Sequence, residues 1–119
     1  MILPDVNLLV ALSDAEHDDH AKAKAWSKGK RLTTCPITEL GLVRVSMQLG
    51  ASAEDALKQL TDLKVDADFI PCDAPAEVLA GKVTGHRQTT DVYLGELAKA
   101  HKGKLYTLDG GIKGAEPVS

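Results

Sequence analysis

The apolar residues of this chain come in short runs that each break off at a proline, an aspartate or a glycine. A stretch of helical period follows each run but the last, and that alternation restricts the fold to a sheet with helices packed on it. Met1 to Leu3 is closed by Pro4 and Asp5, RLTTC (31–35) precedes Pro36, and ADFIPCD (67–73) is closed by Pro71. KLYTL (104–108) runs directly into Asp109, Gly110 and Gly111. Between them, NLLVALSD places Leu8, Leu9 and Leu12 at helical spacing. Asp18 or Asp19 precedes HAKAKAWSK, whose Ala21, Ala25 and Trp26 form an apolar stripe ended by Gly29. Pro36 suits the first turn of a helix over 36–49, with Leu40, Val43 and Met47 on one face. Ser52 and Asp55 open a helix carrying Ala53, Ala56, Leu57, Leu60 and Leu63. A short helix around Glu77 to Lys82 leads to the polar loop GHRQTT. Thr90 then caps DVYLGELAKAHK, which has Tyr93, Leu94, Leu97 and Ala98 on one face and ends at Gly103. Short strands alternating with helices predict an α/β architecture, a small parallel sheet of about four to five strands flanked by helices.

The 119 residues suit one domain spanning 1–119. Apolar residues make up 44% and charged residues 26%, the balance of a globular chain rather than a disordered one. Aromatic residues are few, so the core is expected to rest on Leu, Val, Ile and Ala. A net charge of −3 excludes the broad positive field of a protein that coats nucleic acid non-specifically, while leaving room for a local basic rim. Cys35 and Cys72 stand in no zinc or redox spacing and read as small apolar residues. The N-terminus has no basic segment ahead of its apolar residues, and no apolar run approaches the ~20 residues of a membrane span. The expectation is a cytoplasmic protein.

Most of the seventeen acids fall on caps or solvated helix faces. Four fall at strand–helix junctions: Asp5 after the first strand, Glu39 in the helix after the second, Asp91 at the start of the helix after GHRQTT, and Asp109 after the last strand. In open α/β sheets ligands bind beyond the carboxyl ends of the strands, so acids at these junctions can meet in one cleft. Bare carboxylates brought together repel and raise one another's pKa, so such a cluster calls for a cation. With no histidine beside Asp5, Glu39 or Asp109 and no set of thiolates, oxygen ligands favour Mg²⁺ or Mn²⁺ over zinc. A site of that kind performs metal-assisted phosphoester hydrolysis.

PDVNLL near the N-terminus, CPITELGLVRV in the middle, TTDVYLGELAKAHKGKL and then YTLD together resemble the PIN-domain nucleases, and within them the VapC ribonuclease toxins of bacterial toxin–antitoxin pairs. The resemblance spans nearly the whole chain, with residues 51–85 contributing least. It implies a PIN-like α/β/α fold and an acidic quartet of Asp5, Glu39, Asp91 and Asp109 that holds the metal. It also implies that Asn7 orients the first carboxylate. Many relatives carry a hydroxyl residue directly after the first aspartate, where this chain has Val6. The implied activity is endoribonuclease cleavage of RNA by hydrolysis, the 3′-oxygen leaving and a 5′-phosphate remaining. Arg44, His86 and Arg87, with Lys82 and the lysines between Lys99 and Lys104, are the candidates for contacting RNA phosphate. The implied partners are a cognate VapB-type antitoxin, RNA and a second copy of the chain. The apolar faces of NLLVAL and AKAKAW are candidates for the wall of an antitoxin groove, with core packing as the competing explanation.

Each of these residues also has a purely structural reading. Asp5 and Asp109 suit turns, Glu39 suits a helix first turn, and Asp91 suits a cap region. Arg44, His86 and Arg87 suit solvated surface, and Trp26 reads as a packing residue. Two other functions fit the fold class. A phosphatase of the haloacid-dehalogenase type would use Asp5 as a covalent nucleophile, but it requires a second aspartate where Asn7 stands. A non-catalytic partner-binding module of the same fold has no need to confine four acids.

Overall fold

The computed structural model describes residues 1–112 and 114–118. Five strands and five helices follow the predicted alternation: β1 (Ile2–Pro4), α1 (Val6–Ser13), α2 (His20–Ser27), β2 (Leu32–Thr34), α3 (Pro36–Gln48), α4 (Ala53–Lys64), β3 (Ala67–Phe69), α5 (Thr89–Ala100), β4 (Lys104–Thr107) and β5 (Ala115–Pro117). Two single 3₁₀ turns, Ala76–Leu79 and His86–Gln88, lie between β3 and α5.

β1 pairs with β4 in parallel, with Leu3 opposite Leu105, and β4 pairs in parallel with β5. β2 and β3 form a separate parallel pair, with Thr34 opposite Phe69. The two ladders abut where β1 lies beside β2, giving the spatial order β3-β2-β1-β4-β5. Because side chains alternate across a strand, neighbouring residues feed opposite layers. Leu3 and Leu105 join Leu94, Leu97 and Ala98 of α5, whereas Ile2 and Tyr106 pack with α1, Trp26 and Leu42 on the other face. The result is the expected α/β/α layering.

α1 is a core element on all sides, since Leu8 to Leu12 are all buried. NLLVAL is therefore core and forms no groove wall. In α2 the buried positions are Ala23 and Trp26, while Ala21 and Ala25 are exposed, so the inward stripe lies off the predicted one. Trp26 packs on Tyr106 with ring centroids 5.4 Å apart, which bears out its reading as a packing residue. In α3 the helix buries Thr38, Gly41, Leu42 and Ser46 and leaves Leu40 and Met47 exposed. The small residues face inward because α1 crosses close by: a Cβ on Gly41 would lie 2.4 Å from a Val6 methyl. Ser52 caps α4 as predicted, its hydroxyl accepting from the Asp55 amide at 3.0 Å. α5 begins at Thr89, so Thr90 sits inside the first turn instead of capping it. Cys35 and Cys72 are free thiols packed on the α5-side core, and burial raises the Cys72 pKa.

The Val6–Gly41 contact fixes how α3 approaches the end of β1. Gly41→Ala is expected to destabilise the protein by about 1–3 kcal/mol despite alanine's better helix propensity. Val6→Ala in the same chain should recover part of that loss, and thermal melts of the single and double variants check this.

Candidate active site

Asp5 and Asp109 follow β1 and β4, Asp91 is in the first turn of α5, and the charges of Asp91 and Asp109 are felt at Asp5. Asp5 follows β1 directly and is only 2% exposed. Its backbone amide donates to Tyr106 O of β4 at 2.9 Å, and its Oδ1 accepts from the Leu8 amide at 2.9 Å. Asp5 is thus the N-cap of α1, and the helix start holds the carboxylate in place. Burial raises the Asp5 pKa above the ordinary value of 3.8, and the charges of Asp91 and Asp109 push the same way. The Thr107 hydroxyl and the Leu8 amide favour the ionised form and offset part of this.

Asp91 lies in the first turn of α5 and is half-buried; burial first, and then the Asp109 charge, raises its pKa. Asp109 is exposed and is shaped by its own loop, its Oδ1 accepting from the Gly111 amide at 2.8 Å. Its amide donates to Thr107 Oγ1 at 3.0 Å. Buried Thr107 therefore touches two of the acids, a role that the YTLD motif did not reveal because threonine is equally at home in a buried strand.

Glu39 is held separately. It stands in the first turn of α3, where its Oε2 accepts from the Thr34 hydroxyl at 2.6 Å and its Oε1 lies 3.2 Å from Lys64 Nζ at the end of α4. Neither Thr34 nor Lys64 was singled out from the sequence. Lys64 lies 25 positions from Glu39 and meets it only through the packing of α4 on α3.

Asn7 is exposed on α1, and the hydrogen bond recorded to the Asp5 side chain comes from Leu8. Arg44 is exposed on α3, and His86 and Arg87 are exposed on the 3₁₀ turn before α5. Arg87, Lys82, Gln88, Asp91, Val92 and Ile112 line a cleft of about 250 Å³ that opens beside the carboxylates. Lys82 is turned to Glu96 at 2.5 Å, with Lys99 at 3.4 Å from the same carboxylate, and this pairing lowers the Glu96 pKa. Lys104 pairs with Glu116. Among the described residues Arg87 and Arg44 have no acidic partner.

The resemblance to PIN-domain nucleases implies a metal. Among the described residues, no basic side chain pairs with Asp5, Asp91 or Asp109, and no three ligating groups already stand at metal-binding separation. The donors are oxygen alone, their charge is uncompensated, and two of them are pushed toward the protonated form. That chemistry fits a hard divalent cation.

The chain matches the PIN domain family over residues 2–116. It is 40% identical over 117 residues to Ribonuclease VapC29 of Mycobacterium tuberculosis, covering 93% of this chain and 87% of that protein. Its fold is that of the M. tuberculosis VapC20 crystal structure, described as a sarcin–ricin loop cleaving toxin, with a TM-score of 0.73, 15% identity and coverage of 94% and 92%. It is also that of VapBC2 from Rickettsia felis bound to a promoter DNA fragment, with a TM-score of 0.65, 17% identity and coverage of 98% and 97%.

The raised pKa of Asp5 has a consequence for stability. Between the unfolded and folded values the native state binds the proton more tightly, so this group's contribution falls as pH rises through the folded pKa. Asp5→Asn retains an oxygen to cap Leu8 and removes the charge. It should melt higher than the unsubstituted protein at pH 7 in chelator, the gap closing as pH approaches 3.8. Thermal melts across that range test it, and equal melting temperatures at pH 7 would contradict the assignment of an unfavourable buried charge.

Proposed function

We propose that this chain, which belongs to the PIN-domain family and to its VapC ribonuclease branch, is a divalent-metal-dependent endoribonuclease toxin restrained by a cognate antitoxin. The observation that carries the reading is buried Asp5 within electrostatic reach of Asp91 and Asp109, with no basic partner among the described residues. Charge confined in this way is costly unless a cation or substrate completes the site.

Asp5, Asp91, Asp109 and Glu39 would hold Mg²⁺ or Mn²⁺. A bound ion of that kind supplies a water of lowered pKa and charge stabilisation at the phosphoryl and leaving oxygens. The chain's own residues do the positioning. The Leu8 amide and the Thr107 hydroxyl favour the ionised form of the Asp5 carboxylate and hold it in place. Thr107 also anchors the loop that presents Asp109, and Thr34 holds Glu39 toward the strand ends. Arg87 on the cleft rim is placed to grip an RNA phosphate, with exposed His86 and Arg44 as further candidates for RNA contact. With a net charge of −3, binding through so few basic residues is local and salt-sensitive.

A VapB-type antitoxin would restrain the site by placing a guanidinium among the acids, where it can satisfy carboxylates in place of the metal. The solved VapBC2 complex supports a partner of that type. A homodimer is supported by the uncovered apolar stripe on α3, where Leu40 is 71% and Met47 46% exposed with Val43 between them. A bacterial cytoplasm is the compartment this reading implies. Among the described residues no helix is long and apolar enough to cross a membrane.

Two measurements test the proposal. Asp5→Asn should lower RNA cleavage by roughly a hundredfold or more while preserving the circular dichroism spectrum. Full cleavage in that variant would overturn the assignment. EDTA should stop cleavage, and Mn²⁺ should both restore it and raise the melting temperature of the native chain but not that of Asp5→Asn. Hydrolysis that resists the chelator would rule out an oxygen-ligand metal site.

A further inference from the structure

Phe69 is the chain's single phenylalanine, and its ring is 52% exposed, whereas Trp26 is buried and Tyr93 and Tyr106 are half-buried. It ends β3, where burial alone gives an aromatic side chain no reason to stand. Two independent contacts tie this ring to the candidate site. In register, Phe69 is opposite Thr34, the residue whose hydroxyl holds Glu39. Across the surface, Lys64 Nζ lies 5.3 Å from the ring centroid and 3.2 Å from Glu39 Oε1. The ring therefore sits at most about 8.5 Å from the Glu39 carboxylate, the sum of those two separations. That is the reach of one nucleotide in a single strand, so a base on the ring leaves its phosphate beside the ammonium. Asp68, the acidic neighbour on β3, is held by Arg31 at 2.8 Å, which offsets its repulsion of a phosphate.

We propose that Phe69 and Lys64 form a nucleotide subsite beside Glu39, the ring stacking an unpaired nucleobase and the ammonium contacting the adjoining phosphate. The proposal rests on the ribonuclease reading and adds to it the residues that hold one unpaired nucleotide. A stacked base can lie on an exposed ring whatever its identity, so the subsite supplies affinity and a requirement for unpaired RNA. The ammonium supplies one phosphate contact and its salt dependence. A protein partner is the competing occupant of an exposed ring, because Val65, close by in the chain, and Leu40, next to Glu39, are also exposed. The cation over the ring and its link to Glu39 favour nucleic acid.

The test measures binding of a fluorescent single-stranded RNA oligonucleotide to the full chain carrying Asp5→Asn, which blocks cleavage. Adding Phe69→Ala or Phe69→Leu should weaken binding by about 5- to 100-fold, and Phe69→Trp should bind as well as the parent. Lys64→Met should reduce the slope of log affinity against log salt by about 0.7. The same RNA annealed to its complement should show no dependence on Phe69. Circular dichroism and sedimentation establish that each variant folds and keeps its oligomeric state. Leucine binding as well as phenylalanine would overturn stacking. Unchanged RNA affinity in all three Phe69 variants, or a change confined to sedimentation, would assign the ring to a protein interface and overturn the subsite. If the unsubstituted protein cleaves RNA in either case, the ribonuclease reading stands and the subsite alone fails; if it neither binds nor cleaves RNA, both fall together.

Discussion

A carboxylate is buried at the point where the first strand becomes the first helix, and the rest of the site is arranged around it. Asp5 cannot move to solvent, because its amide is tied to β4 and its side chain caps α1. The helix start pulls negative charge toward this spot, while burial and two neighbouring aspartates push against it. The balance leaves a group with a raised pKa beside two further carboxylates. Proteins accept such a conflict where function demands it, and a hard cation resolves it with no change in the fold.

The four acids are not equivalent. Asp5, Asp91 and Asp109 share one electrostatic environment, and Thr107 links two of them. Glu39 answers to a different pair of neighbours, the Thr34 hydroxyl and the Lys64 ammonium. In the proposed reading Lys64 would serve both as counter-ion to Glu39 and as a contact for phosphate.

Much of the fold was legible because the strongest signals were local. The apolar starts of β1 and β4, Pro36 at a helix start and the Ser52 cap each act within a few residues. β5 was not legible: Ala-Glu-Pro has no strand propensity and is extended only because β4 offers it a partner. Leu40 and Met47 do share a face of α3, but it lies outward, and the face turned to the core carries Gly41, where α1 crosses close by, and Leu42. The junction acids could be read because strand ends of an α/β sheet face one side. The hydroxyls of Thr34 and Thr107 could not, since a buried threonine signals nothing in sequence. Lys64 reaches Glu39 only through tertiary packing.

The boundary between the two hydrogen-bonded ladders runs through the candidate site. Asp5, Asp91 and Asp109 belong to the side built on β1, β4 and α5, and Glu39 belongs to the side built on β2, β3 and α3. No backbone ladder spans that seam among the described residues, so the gap from the glutamate to the aspartates is fixed by how side chains interlock across it. Residues far from any acid, wherever they wedge the two halves apart or let them settle, thus become a means of tuning the spacing of the ligands.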